Sequence, residues 1–341
     1  MIFFNNNAEL ENAMTTPSAE LVQMMKNIDG DFLILGAAGK MGITLAKLAK
    51  RAIGEAGVKK RVVCVSRFSD KSVVAQLEAC GIETIAADLL EPGAMDDIPR
   101  LKNIIYMVGM KFGATGQEAK TWAVNTYLPG MVCEKFKNAR IVLFSTGNVY
   151  PYTKKETGGS IETDAPQPIG EYAQSALGRE RIFQYFAARY KIPGLIFRLN
   201  YAVECRYGIL LDVAQKVFEG KKVDLSTGYV NVIWQGDANE IALRSLAIVQ
   251  NPPVLLNVTG QEIVSIRELA QRFGEFFKRE PLFINEETET ALLSNSALSR
   301  QLLGASKVTL EEMVGWVAAW VRDGHSTLDK PTKYEVRSGA Y

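Results

Sequence analysis

Gly36, Gly39 and Gly42 are spaced Gly-x-x-Gly-x-x-Gly behind the apolar run Asp31–Leu35, and they open a segment whose Met41, Leu45, Leu48, Ala49 and Ala52 share one helical face. A strand, a glycine turn and a helix in that order can hold an anion. The first glycine permits the tight turn and the second lets the backbone approach a pyrophosphate. The third lets the helix pack closely on the sheet, and the anion sits at the positive end of the helix dipole. The loop Gly36, Gly39, Lys40, Met41 and Gly42 is therefore the candidate cradle for a dinucleotide. Read without that ligand, the glycines would serve only a strand-to-helix turn.

The next strand candidate, Val62–Val65, runs into Ser66 and Arg67. An NAD site commonly carries a carboxylate there to bind the adenosine ribose hydroxyls. A hydroxyl and a guanidinium suit a 2′-phosphate, because arginine binds phosphate through a planar fork of donors. NADP is accordingly the expected cofactor and NAD the alternative. In the plainer reading Arg67 is solvated, with Asp70 as a local partner.

The chain has one histidine, His325, which excludes a multi-histidine metal site and argues against a Ser-His-Asp hydrolase. The four cysteines, Cys64, Cys80, Cys133 and Cys205, form no C-x-x-C pair and read as reduced thiols of a cytoplasmic protein. A net charge of +1 gives no bulk attraction to nucleic acid or to an anionic membrane. No apolar run is long enough to span a bilayer, and the N-terminus has neither the basic nor the apolar stretch of a secretion signal.

These residues need a scaffold. A helix is expected over residues 18–28, and further strands at Thr84–Ala86, Ile104–Val108, Ile141–Phe144 and Leu195–Arg198, with helical segments between. Strands alternating with helices predict an α/β, Rossmann-type, doubly wound parallel sheet. The expected organisation is an N-terminal extension over 1–30, a dinucleotide-binding domain over 31–200 and a smaller α+β substrate-binding part over 201–341, some of which returns to the sheet. Residues 151–168, rich in Pro, Gly and Thr, read as a loop. Asp237 with Glu240, and Thr309 with Glu312, read as capping boxes.

The ordered set Gly36-x-x-Gly39-x-x-Gly42, Asp88-Leu89, Asn125, Ser145-Thr146-Gly147-Asn148-Val149-Tyr150 and Tyr172 resembles the extended short-chain dehydrogenase/reductases, the NAD(P)-dependent epimerase/dehydratase group. The likeness covers about residues 31–260. It implies that Asp88 and Leu89 lie by the adenine and that Val108 and Gly109, ending the fourth strand, line the adenosine side. It gives Thr146 the position that hydrogen-bonds the reacting oxygen, and Tyr172 that of the acid/base. Asn148 falls near the substrate, and Asn200 near the substrate or the nicotinamide. A homodimer through helices near 117–137 and 172–190 is implied as well.

Two stretches depart from the pattern. Gly109-Met110-Lys111-Phe112-Gly113 replaces the small residues common after the fourth strand, and Ala176 stands where the family has the lysine of Tyr-x-x-x-Lys. That lysine holds the nicotinamide ribose and lowers the tyrosine pKa. One helical turn separates 172 from 176, so Ala176 is expected to leave a small space beside the phenol. Lys111, Lys154 and Lys155 are candidate substitutes. Three readings stay open: an oxidoreductase or epimerase acting by hydride transfer on a small polar carbonyl or hydroxyl compound, a sugar derivative by analogy with the family; a dinucleotide-binding sensor that has lost turnover; or a pocket in which Tyr172 is only a packed aromatic.

Overall fold

The computed structural model describes residues 3–111, 113–330 and 332–340. Its centre is a seven-stranded sheet: β1 (Phe32–Leu35), β2 (Val62–Ser66), β3 (Glu83–Ala86), β4 (Asn103–Tyr106), β5 (Arg140–Thr146), β6 (Gly194–Leu199) and β7 (Val254–Val258). All neighbours are parallel, in the order β7-β6-β5-β4-β1-β2-β3. The chain winds outward in both directions from β1 and β4, so the crevice between their carboxyl ends is the topological switch point. β1 shows why its sequence is apolar throughout. Phe32 and Ile34 join the core on one face, while Leu33 and Leu35 join the core on the other.

The expected strands are present with ends shifted by one or two residues. β4 stops at Tyr106, so Val108 and Gly109 lie in the loop beyond it rather than ending the strand. β7, which completes the sheet, did not stand out in the sequence. Two helices precede β1. The first, α1 (Asn7–Thr15), was not anticipated and is capped by Asn6; α2 (Ala19–Asn27) is capped by Ser18. They strap onto α3 (Gly42–Glu55) through the Lys47–Glu11 ion pair at 2.6 Å and bonds from Arg51 to Asn12 and Thr15.

α4 (Gly170–Tyr190) carries Tyr172 and packs on the sheet. Beyond β6 lie α5 (Ile209–Glu219), α6 (Gln235–Arg244), α7 (Ile266–Phe277) and α8 (Leu310–Arg322). α5, α7 and α8 pack around a separate apolar core that includes Leu210, Leu269, Phe273, Val317 and Trp320. α8 begins with the expected capping box of Thr309 and Glu312. The Asp237 box does not form. α6 starts two residues earlier, at Gln235, and the Asp237 carboxylate accepts instead from the Lys307 and Val308 amides at 2.8 and 3.0 Å. That tertiary contact outcompetes the local cap.

Exposed aromatics include Trp122, Tyr127 and Tyr185, on the two helical stretches where the resemblance puts a dimer contact. No helix among the described residues is long and apolar enough to cross a membrane.

One buried ion pair ties the sheet to α4. The Arg198 guanidinium of β6 donates to both Glu180 oxygens, at 2.9 and 2.6 Å, and to the Tyr150 phenol at 2.6 Å. Glu180 also accepts from Ser145, and Tyr150 donates to Asn257 of β7. Neither charge reaches solvent, so removing one leaves the other stranded. Glu180→Ala is therefore expected to cost about 3–5 kcal/mol of unfolding free energy in a denaturant titration. A loss below about 1 kcal/mol, the scale of an exposed pair, would show that this pair does not hold the helix.

Candidate active site

A cavity of about 840 Å³ opens along the carboxyl edge of the sheet at the switch point. Its wall takes in Gly36, Gly39, Lys40, Met41 and Gly42 from the glycine loop and Ser66 and Arg67 beyond β2. Asp88, Leu89, Val108 and Gly109 follow β3 and β4, and Thr146, Asn148, Tyr172 and Asn200 close the far end. Every site residue expected from sequence thus borders one space of ordinary ligand-pocket size.

The loop geometry tests whether a dinucleotide fits. Gly36 has φ +87°, and a Cβ there would come within 2.8 Å of the Val108 amide nitrogen. A Cβ on Gly42 would meet the Ala37 carbonyl oxygen at 2.4 Å. Both glycines are required by the backbone itself. Gly39 differs: it is exposed, and a Cβ would meet only the Gly36 oxygen, at 3.4 Å. Its missing side chain is space belonging to the cavity. α3 begins without a side-chain cap, so its first turn points amides at this space. The residues fit a pyrophosphate. At the adenosine end Arg67 is exposed, and Asp70 caps the following helix through the Ser72 amide at 2.9 Å rather than serving Arg67. Asp88 accepts from Leu90 N, and Leu89 is buried.

At the other end the Thr146 hydroxyl hydrogen-bonds the Tyr172 phenol. Thr146 also donates to Asn148 Oδ1 at 3.0 Å and accepts from the Asn148 amide at 3.1 Å, which fixes its rotamer. Asn200 reaches the wall, but its side-chain amide nitrogen is committed to Asn231 and the Leu292 carbonyl. Burial pushes the Tyr172 phenol above its ordinary pKa, while the Arg179 guanidinium and the Thr146 bond hold it down.

Arg179 is the residue the sequence reading missed. It lies seven residues after Tyr172, two turns along the same face. Its guanidinium is buried and donates to the Asn125 carbonyl at 3.2 Å, the Phe144 carbonyl at 2.8 Å and Asn125 Oδ1 at 2.6 Å. Asn125 sits in a π-helical turn, Ala123–Tyr127, a distortion common at functional sites. Its amide clasps Met110 from both sides, accepting from Met110 N at 2.9 Å and donating to Met110 O at 3.0 Å. A Cβ on Gly109 would come within 2.8 Å of the Arg179 guanidinium, so a side chain there would press on that buried group.

The expected space at Ala176 is absent. Ala176 is fully buried and clusters with Val149, Tyr150 and Leu177. Of the candidate substitute lysines, Lys154 pairs with Glu289 at 3.0 Å and Lys155 lies over the Tyr229 ring. Lys111 Nζ stands 5.6 Å from the Tyr172 ring centroid, on the cavity wall. Phe112, its neighbour in the departing stretch, lies outside the described residues.

The model of the NAD-dependent epimerase/dehydratase family matches residues 32–203. The chain belongs to that family. It is therefore an NAD(P)-dependent enzyme in the family's sense, with the family's Rossmann-type sheet. No curated protein sequence matches this family member. Among solved structures it is similar to MoeE5 in complex with UDP-glucose and NAD, at 20% identity, covering 86% of this chain and 99% of that one, with a TM-score of 0.68. It is also similar to UDP-glucuronic acid 4-epimerase from Bacillus cereus in complex with NAD, at 16% identity, covering 86% and 98%, TM-score 0.71. The third is UDP-glucose 4-epimerase from Thermotoga maritima with UDP-glucose, at 16% identity, covering 86% and 98%, TM-score 0.70. At these identities the likeness is one of fold. The first two hold NAD; the preference for NADP read from Ser66 and Arg67 finds no support among them.

The three glycines should separate fold from binding. Gly39→Val is expected to leave circular dichroism and melting unchanged while weakening dinucleotide binding more than about tenfold by calorimetry. Gly42→Val should instead unfold α3 from the sheet. Unaltered affinity in folded Gly39→Val would remove the pyrophosphate from this loop.

Proposed function

We propose that this enzyme epimerises an anionic sugar derivative, of the sugar-nucleotide class, with Tyr172 as acid/base and Thr146 as the group that holds the reacting oxygen. The observation that carries the reading is the hydrogen-bonded Thr146–Tyr172 pair on the wall of the cavity that the glycine loop also borders. Turnover is favoured over the sensor reading because the phenol, hydrogen-bonded to Thr146, opens onto the cavity rather than being packed away from it.

The charge of the cavity supports an anionic substrate. Burial first, and then the Lys330 and Lys111 charges, bring the Lys40 pKa down to about 7 against the pull of Asp212. Burial and the Lys333 charge bring Lys111 to about 8. Lysines that repel one another in a cleft gain from a bound anion, and the phosphates of a dinucleotide and a sugar nucleotide would supply it. Lys330 and Lys333 come from the C-terminal tail. Thr332, between them, donates from its backbone amide to Asp212 at 2.9 Å and borders the cavity.

A bound dinucleotide would supply a reversible two-electron acceptor. Gly36, Gly39 and Gly42 would hold its pyrophosphate, with Lys40 and Met41 between them. Arg67, exposed at the rim, is the group through which a 2′-phosphate would be read if the NADP form binds. As the substrate hydroxyl becomes a carbonyl, Tyr172 takes its proton and Thr146 keeps the oxygen in place. Tyr172 returns the proton when the carbonyl is reduced from the opposite face, so that epimerisation leaves no net redox change.

Tyr172→Phe should lower turnover of a sugar nucleotide by about 10²–10⁴-fold, the usual contribution of a positioned acid/base. Because burial raises the phenol, wild-type turnover should climb as pH rises above neutrality and more phenolate forms. Undiminished activity in Tyr172→Phe, measured on a panel of UDP- and other nucleotide-sugars, would end this reading.

A further inference from the structure

We propose that Lys111, carried on the loop after β4, is the positioning residue that holds Tyr172 in its reactive ionisation state, the task a lysine on the helix would otherwise perform. The inference rests on Tyr172 being the acid/base, and it concerns where the helper charge comes from.

The helix offers no place for that charge. Position 176 is sealed by Val149, Tyr150 and Leu177. Lys154 and Lys155 are turned to Glu289 and Tyr229. Arg179 contributes a fixed charge, but three of its donors are spent on Asn125 and Phe144, and it lies behind the cavity wall, away from any ligand. Lys111 alone among these cations both borders the cavity and has its ammonium close to the Tyr172 ring, at 5.6 Å from the centroid.

Its approach is anchored rather than accidental. Met110, the residue before it, is fixed through both its N–H and its C=O by the Asn125 side chain. Asn125 is in turn held by Arg179 and donates to Ser175 at 2.9 Å. The loop after β4 is therefore clamped to α4 at the turn that follows Tyr172. A lysine one residue beyond the clamp is presented to the phenol from across the cavity.

The surrounding charges set how the helper behaves. Tyr172 faces Arg179 on its own helix, Lys111 on the β4 loop and the Tyr207 phenol from the segment before α5. Lys111 is opposed by Lys333 of the tail and shares the cavity with Lys40 of the glycine loop. An ammonium near a phenol favours phenolate. A ligand anion that offsets Lys333 and Lys40 would keep Lys111 charged, so substrate binding and tyrosine activation are coupled through this residue.

The test compares wild type, Lys111→Gln and Lys111→Arg, with Tyr172→Phe as reference. Near-ultraviolet difference absorbance against Tyr172→Phe isolates the Tyr172 titration in the protein saturated with NAD, whose phosphates offset the Lys333 and Lys40 charges and keep Lys111 protonated. Lys111→Gln should raise that titration by about one pH unit or more, the scale of one nearby opposite charge. It should also lower kcat for a sugar nucleotide and move the pH–rate profile to higher pH, and Lys111→Arg should restore both. Should the glutamine variant fail to fold by circular dichroism, Lys111→Met is read in its place. A Tyr172 titration within a few tenths of wild type in the uncharged variant, with Tyr172→Phe still inactive, overturns the role of Lys111 and leaves the acid/base reading standing. Retained turnover in Tyr172→Phe removes that reading, and the Lys111 proposal with it.

Discussion

A guanidinium sealed beneath the carboxyl edge of the sheet is the constraint on which the rest of this site depends. Burying Arg179 is costly unless its donors are met. The Phe144 carbonyl on β5 and both oxygens of Asn125 meet them. That requirement orients the π-helical turn carrying Asn125, and through Asn125 it fixes Met110 and the start of the loop after β4. It also leaves little room for a side chain at 109, where a Cβ would press on the guanidinium. The residues that look unrelated in sequence, Gly109, Met110-Lys111 and Arg179, belong to one arrangement. A bulky cation sits behind the wall on α4, the neighbouring loop is small where it passes that cation, and a lysine enters the cavity from the loop.

Much of the fold is legible in sequence because its signals are local. Apolar runs such as Val62–Val65 need two covered faces, and the glycine spacing at 36, 39 and 42 has few mechanical explanations. The candidate cavity was legible for the same reason: its residues sit just beyond strand ends, where a doubly wound sheet must place a ligand. What escaped is long-range. β7 is recognised by pairing with β6 rather than by its own pattern. Asp237 and Glu240 satisfy a local capping rule, yet Asp237 is claimed by amides about seventy residues away. The tail after α8 has no periodicity, and its place beside the cavity comes from contacts such as Thr332 with Asp212 and Thr227 with the Tyr334 carbonyl. Arg179 alone carried a readable signal, its two-turn offset from Tyr172, but only a folded Asn125 shows what it does.

Two buried arginines, Arg179 on α4 and Arg198 on β6, meet at neighbouring positions of α4 and have different work. Arg198 with Glu180 is neutral as a pair and tethers β5, β6 and β7 to the helix, through Ser145, Tyr150 and Asn257. Arg179 has no carboxylate among those partners and is met by carbonyl oxygens, so its field is left to act on the phenol two turns away. Lys40, Lys111 and the tail lysines then add charge around the mouth. The scaffold thus separates stability from reactivity within two consecutive residues, Arg179 and Glu180.

The most direct measurement is a crystal structure of the protein grown with its dinucleotide and a sugar nucleotide. The account predicts the pyrophosphate against Gly39, the sugar within hydrogen-bond reach of both Thr146 and Tyr172, and the Lys111 ammonium turned to the phenol. A sugar held away from Tyr172, or a dinucleotide whose nicotinamide end points out of this cavity, would contradict it.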